Sequence, residues 1–179
     1  MLCMKNQFIE KYLQDNHLSV IQCDEERPWW AYYVLEETPE YDKKVFWVKP
    51  WEFLSLQYHG SPTHPGHHEQ GVALTDMAIV LWKTDVSKYT LDEIYEKYVQ
   101  ELEVIFIPTG GTFETQPGFL HAYINPFDHD VHMTEIRTSQ IPEQAADREK
   151  NITRVFDSSM RGGTPNWPEW LRDKIAKLR

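Results

Sequence analysis

Between Trp29 and Phe156 the apolar residues come in short runs of aromatic and branched side chains, each broken within a few positions by proline, glycine or acidic residues. That texture suits strands and leaves little room for long helices. Trp29–Glu36, Lys43–Val48 and Phe53–Tyr58 read as strands, and Val72–Lys83 as two apolar segments about a hairpin turn at Thr75-Asp76. Strands resume at Glu103–Ile107, Gly111–Thr115, Phe119–Ile124, Val131–Thr138 and Ile152–Phe156. Three stretches keep a helical period instead. Residues 5–14 place Phe8, Ile9, Tyr12 and Leu13 on one face, and Thr90–Leu102 opens on a Thr90/Glu93 capping box. Asn166, Trp167 and Pro168 start a last helix, about 166–178, with Trp170, Leu171, Ile175 and Leu178 on its apolar side. About eight or nine short strands with so few helices predict an antiparallel barrel or jelly roll. With 179 residues the chain can bury one substantial core, so 1–179 is read as a single domain.

Charge narrows the partners. Asp and Glu number 28 against 18 Lys and Arg, a formal net charge of −10, which disfavours nucleic acid and anionic membrane surfaces. The exception is the stretch from Met160 on, where five basic residues face two acidic ones, a pattern expected of a solvated helix end. Cys3 and Cys23 offer neither a disulfide framework nor a CxxC pair, so a reducing cytoplasm is the expectation. No run of eighteen apolar residues and no basic leader into an apolar stretch is present, so membrane insertion and export are not expected. Histidine is unevenly placed: of eight, His59, His64, His67 and His68 fall within ten residues. Gly60–Gly66, inside that cluster, is the clearest loop.

Gly110 to Asn125 reads GGTFETQPGFLHAYIN. Pro117-Gly118 makes a tight turn that delivers a strand, and period-two alternation puts Phe119, His121, Tyr123 and Asn125 on one face, opposite Leu120, Ala122 and Ile124. This spacing resembles the second motif of the cupin superfamily, G-x5-PxG-x2-H-x3-N, at every defined position but one, where Gln116 stands for proline. The first cupin motif is present in altered form. Trp51 takes the first glycine slot, Gln57 and His59 take the HxH positions, Glu69 follows after an enlarged loop, and Asp76 takes the last glycine slot. A Gln-x-His pair with a later Glu and a motif-two His is similar to the ligand set of type I phosphomannose isomerases. Leu54–His59 resembles their LSxQxH, Glu69–Thr75 their EMAxALT, His121-Ala122-Tyr123 their PHAYL and Lys150–Arg154 their DNVVR. Glu26–Leu35 and Lys49–His59 are similar to ERPWGxYxVL and KPGExLSLQxH of the single-cupin type II enzymes.

The resemblance covers roughly Glu26 to Asp157. It implies a mainly β cupin jelly roll, barrel core about 26–157, with short N- and C-terminal helices and one inserted helix. It implies a metal held by Gln57, His59, Glu69 and His121, and a sugar phosphate isomerase, mannose 6-phosphate to fructose 6-phosphate. A homodimer is a further family expectation. From the residues themselves, one glutamine, two histidines and one glutamate suit a divalent metal such as zinc, iron, manganese or nickel, and the resemblance implies zinc first. His64, His67 or His68 are alternatives to Gln57 if the loop folds inward. Glu135, His67 and Lys49 are candidates for the proton-transfer base, and Arg154 for binding phosphate or hydroxyl through its guanidinium fork. His129 and His132 read as solvent-exposed. The rival readings are a non-catalytic cupin that binds a sugar or another small ligand, a metal-dependent oxygenase, and an epimerase working through a His68–Tyr123 pair.

Overall fold

The structure is a computed structural model and describes residues 6–61, 63–142 and 149–177. Its strands are β1 (Gln22–Arg27), β2 (Trp30–Glu37), β3 (Tyr41–Val48), β4 (Leu56–His59), β5 (His67–Ala73) and β6 (Met77–Asp85), followed by β7 (Glu103–Ile107), β8 (Thr112–Thr115), β9 (Phe119–Ile124), β10 (Val131–Ser139) and β11 (Ile152–Phe156). They form two antiparallel sheets, one ordered β1-β2-β3-β10-β5-β8 and the other β11-β4-β9-β6-β7. The result is a mainly β, cupin-like sandwich with three short helices among the described residues, the architecture that the short aromatic runs predict.

Strand β9 shows how the layers arise. Its even positions, Leu120, Ala122 and Ile124, point away from the opposite sheet into a cluster with Ile94, Val99, Leu171 and Ile175. Its odd positions, His121 and Tyr123, point between the sheets, so the strand is buried on both faces. The residues packing the cluster come from α2, which begins as an α-helical turn at Leu91–Glu93 and continues as a π turn, Ile94–Tyr98, and a 3-10 turn, Val99–Glu101. The capping box is formed: Thr90 N–H donates to the Glu93 carboxylate at 2.8 Å and Glu93 N–H to Thr90 Oγ1 at 3.3 Å. The insertion thus packs the back of the five-stranded sheet rather than covering the mouth of the barrel. Helix α3 (Glu169–Ala176) lies on the same face through Leu171 and Ile175. Trp170, expected on the apolar side, is exposed; Trp167 is the anchor instead, with Nε1 donating to the Leu54 carbonyl at 2.8 Å. Leu178 falls outside the described residues.

Helix α1 (Gln7–Asp15) covers part of the outer face of the six-stranded sheet, setting Ile9 and Leu13 against Ala31, Tyr33 and Val45. His132 is buried beside this helix, 4% exposed, stacked on Phe8 at 4.2 Å and bonded to Asn6 Nδ2 at 2.8 Å. The expectation of an exposed His132 is corrected: a packing helix covers a strand position that would otherwise face water. His129 is exposed.

Three other readings change. Strands β1 and β5 are not evident in the sequence, because QCDEER and HHEQGVA lack the apolar alternation that marks a half-buried strand. Thr75-Asp76 is no hairpin, since β5 pairs with β10 and β8 while β6 pairs with β7 and β9; the turn carries the chain from one sheet to the other. Cys23 is disulfide-bonded, where the sequence reading gave the cysteines no pairing; Cys3 lies outside the described residues. Among the described residues no helix is long and apolar enough to cross a membrane.

Candidate metal centre

Gln57 and His121 lie opposite each other on β4 and β9, and Arg154 of β11 lies opposite Gln57, forming one row across the five-stranded sheet. His59 ends β4 two residues on. Gly118 fixes this corner: its N–H donates to the His59 carbonyl at 2.8 Å, and at φ +80 a Cβ there would stand 2.1 Å from Asp85 Oδ1. The turn before β9 is thereby held against the end of β4, which brings the two histidines together, their ring centroids 5.2 Å apart.

Glu69 meets them from the other sheet. It sits on β5 between Thr115 of β8 and Arg137 of β10. Its Oε1 lies 2.8 Å from His59 Nε2, and its Oε2 lies 2.9 Å from His121 Nε2. Oε2 also accepts from Tyr123 Oη at 2.9 Å and Thr115 Oγ1 at 3.3 Å. All three members of the cluster are buried, with donor atoms within 4.8 Å of one another. Burial pushes the Glu69 carboxyl up, but the two imidazoles outweigh it and hold the group well below the usual carboxylate range. Burial takes His59 down to about 4 despite Glu69. Burial also works against a charged His121, but Glu69 and the Phe119 carbonyl together raise it.

A divalent metal fits these residues. Two imidazoles and one carboxylate, no thiolate, form a donor set for a borderline first-row ion. His121 Nδ1 lies 2.8 Å from the Phe119 carbonyl, a contact that puts the proton on Nδ1 and leaves the Nε2 lone pair for a cation. His121 Nε2 is buried and, although close to Glu69, has no hydrogen bond of acceptable direction. The fold therefore presents a buried His–Glu–His candidate metal site, consistent with a divalent ion.

Beside it is a cavity of about 80 Å³ between the sheets. Glu69, His121, Gln57, Glu135 and Arg154 are on its wall, together with four further cations, Arg27, Lys44, Arg137 and Arg161. Glu135 points inward with Val131 and Met133, resolving the direction that the sequence left open. It is 4% exposed, and burial next to the charge of Glu69 raises its carboxyl to about 8 against the pull of Lys44 and Arg137. Aspartates hold the cations in place: Arg27 on Asp24 at 2.7 Å, Arg137 and Lys44 on Asp42 at 2.7 and 3.3 Å, and Arg161 on Asp157 at 2.7 Å. Ser55 joins this last group by donating to Asp157 and accepting from Arg161, each at 3.0 Å.

The remaining candidates lie elsewhere. Gln57 Nε2 is 3.4 Å from His59 Nε2, at the edge of the cluster. His67 is buried but does not line the cavity; its Nδ1 is 3.4 Å from His59 Nδ1, on the side of that ring away from Glu69. His64 packs edge-on against His67, and His68 points outward to Glu114 at 2.9 Å. The structure does not assemble a His68–Tyr123 pair: successive β5 residues face opposite sides, and His68 is on the outer one. Lys49 stands over the Trp30 ring at 3.3 Å, away from the cavity. Sequence reasoning missed Arg137, Lys44, Arg27 and Arg161. Arg137 had a signal, lying two residues beyond Glu135 on the same strand face; Arg161 sits in a short 3-10 turn with no periodicity to betray it.

No protein-family model and no curated protein sequence matches the chain. Among solved structures it is similar to the capsular polysaccharide assembling protein CapF from Staphylococcus aureus, with 11% identity over 76% of this chain and 33% of that one and a TM-score of 0.51. It is also similar to an oxalate oxidase (16% identity, 87% and 77% covered, TM-score 0.49) and to KdgF from Halomonas sp. (10%, 70% and 89%, 0.47). The chain spans about a third of the length of CapF. At such identities the likeness is one of fold. Fold and site together define a cupin-like protein with a buried His–Glu–His candidate metal site.

Proposed function

We propose that this protein is a metal-dependent aldose–ketose isomerase of a sugar phosphate, interconverting mannose 6-phosphate and fructose 6-phosphate or close analogues. The observation that carries the reading is one cavity wall that joins the His–Glu–His cluster to a second buried carboxyl, Glu135, and to five cationic side chains. His59, Glu69 and His121, with Gln57 at the edge, would hold the ion, zinc or else iron, manganese or nickel. Once bound, the ion supplies Lewis acidity toward the sugar carbonyl and its neighbouring hydroxyl, which acidifies the C–H between them.

The chain's own groups supply the rest. Glu135, raised to about 8, exchanges its proton near neutral pH, as a group moving a proton between adjacent carbons must. Tyr123 Oη, bonded to Glu69 and interacting with Glu135, orients both carboxyls. Arg154 offers a guanidinium fork to a phosphate, and Arg161, whose Nε and Nη2 are engaged by Asp157 and Ser55, adds positive charge beside it. The anion preference follows from the charge count: with Glu135 largely protonated near neutral pH, the five cations on the wall face four carboxylates, Glu69, Asp24, Asp42 and Asp157, and a bound dication makes the site more positive still.

Metal-loaded protein is expected to interconvert the two hexose phosphates, followed by proton NMR, and to take up deuterium from D₂O at the carbon that changes. Mannose 6-phosphate, fructose 6-phosphate, free mannose and free lyxose all left unchanged would sink the proposal and favour a non-catalytic binding role. Arg154→Ala is expected to raise KM for the phosphorylated sugar more than tenfold while leaving metal content intact.

A further inference from the structure

The contact between His59 and His67 constrains both rings. It joins Nδ1 to Nδ1 at 3.4 Å, with both side chains 0% exposed, so one ring must donate and the other accept. His59 presents its other nitrogen, Nε2, to Glu69 Oε1 at 2.8 Å. With no cation bound, the Glu69 carboxylate, charged and nearer to His59 Nε2 than the Gln57 amide at 3.4 Å, calls for a proton on that nitrogen, which leaves His59 Nδ1 as an acceptor and requires His67 Nδ1 to donate. A cation on His59 Nε2 needs the lone pair there, which moves the His59 proton to Nδ1 and requires His67 Nδ1 to accept. The two states ask opposite things of residue 67.

We propose that His67 is a positioning residue whose imidazole changes from donor to acceptor, so that His59 is hydrogen-bonded in its correct tautomer both with and without metal. The protons balance: the one between the Nδ1 atoms passes from His67 to His59, His59 gives up its Nε2 proton to solvent, and His67 takes one on Nε2. Each ring stays neutral throughout. The inference rests on the metal centre proposed above, and it moves His67 from candidate base to a role exerted through His59. A buried side chain able only to donate or only to accept would favour one state, and an apolar one would leave His59 Nδ1 unsatisfied in both.

Two variants test it. His67→Phe keeps a ring but removes both capacities, whereas the His67→Asn amide can turn to present either an oxygen or an N–H close to the same position. Zinc titrated into the full-length protein against a chelator is expected to bind His67→Phe 10- to 100-fold more weakly than wild type, and His67→Asn within about threefold. Nitrogen-15 imidazole spectra add a readout that general damage would not move. They should show wild-type His59 protonated at Nε2 and His67 at Nδ1 without metal, and His59 protonated at Nδ1 with zinc. Asn as damaging as Phe, Phe as tight as wild type, or the opposite tautomers would overturn the inference. If wild-type protein binds no zinc, the metal reading fails, while the metal-free tautomers still decide this one; if His67→Phe does not fold, the Asn variant and the wild-type spectra decide it.

Discussion

Glu135 and Glu69 are buried carboxyls in one cavity with opposite fates: the imidazoles around Glu69 keep it ionised, while burial beside that charge keeps Glu135 protonated up to about 8. In the proposed reaction such a pair, with acidities pushed apart, separates the metal ligand from the proton carrier. Glu135→Gln keeps size and hydrogen bonding but cannot accept the proton, so turnover should fall about 10²- to 10⁴-fold with metal content unchanged. A variant retaining more than a tenth of wild-type rate would remove Glu135 from the mechanism. Gly71, opposite Glu135 on the neighbouring strand, has no room for a side chain: a Cβ would stand 2.1 Å from Phe113 Cζ and 2.2 Å from the Thr134 carbonyl. The ring can shift but the backbone cannot. Gly71→Ala is expected to cost roughly 1–3 kcal/mol in urea unfolding. At this scale the sequence was most informative where alternation is regular: His121 and Tyr123 face inward as the strand period requires. It was least informative for Arg161, whose place depends on Asp157 and Ser55 holding a short turn against the cavity.

At the scale of elements, α1 depends on a contact that joins helix capping to strand burial. Asn6 caps the helix by accepting from Ile9 N–H at 2.8 Å, and the same side chain donates to His132 Nε2 at 2.8 Å. Burial, with a smaller effect from His129, lowers His132 from 6.5 to about 4. A protonated His132 would confront the Asn6 N–H with a second donor. The unfolded chain therefore binds this proton more readily than the folded protein does. Stability is intact above about 6.5, falls as pH drops toward about 4, and levels off below, with a loss on the order of 3 kcal/mol from this group. His132→Phe should flatten that part of the stability curve between pH 7 and 4; an unchanged slope would rule the group out. Helix α1 itself was legible from its apolar period, but the burial of His132 was not, since local sequence does not show which part of a sheet a helix will cover. Strands β1 and β5 escaped for a related reason: their polar residues face a neighbouring strand, a helix or the cavity, and these contacts appear only once the chain is assembled.

At the scale of the molecule, an acidic chain of formal charge −10 encloses a cavity lined by cations. A net charge of this sign is expected to disfavour extended polyanions, whereas the wall, fixed by buried and half-buried aspartates, is proposed to take one small anion. The two-sheet architecture matters because neither sheet holds the site alone: His59 and His121 come from one, Glu69 and Glu135 from the other. The ligand spacing therefore depends on how the layers pack, and changes in the core between the sheets should disturb metal affinity before they disturb secondary structure. The motif spacing in the sequence pointed to this convergence, but the ring of cations could not be read from it, because Arg27, Lys44, Arg137, Arg154 and Arg161 are brought together from four strands and a turn.

The central claim is that His59, Glu69 and His121 form a metal centre, and metal stoichiometry tests it most directly. Elemental analysis of purified protein equilibrated with zinc and then desalted should give about one ion per chain, reduced at least tenfold in Glu69→Ala and His121→Ala variants that remain folded by circular dichroism. Folded wild-type protein that retains no zinc, iron, manganese or nickel, or variants that retain as much as wild type, would contradict the claim.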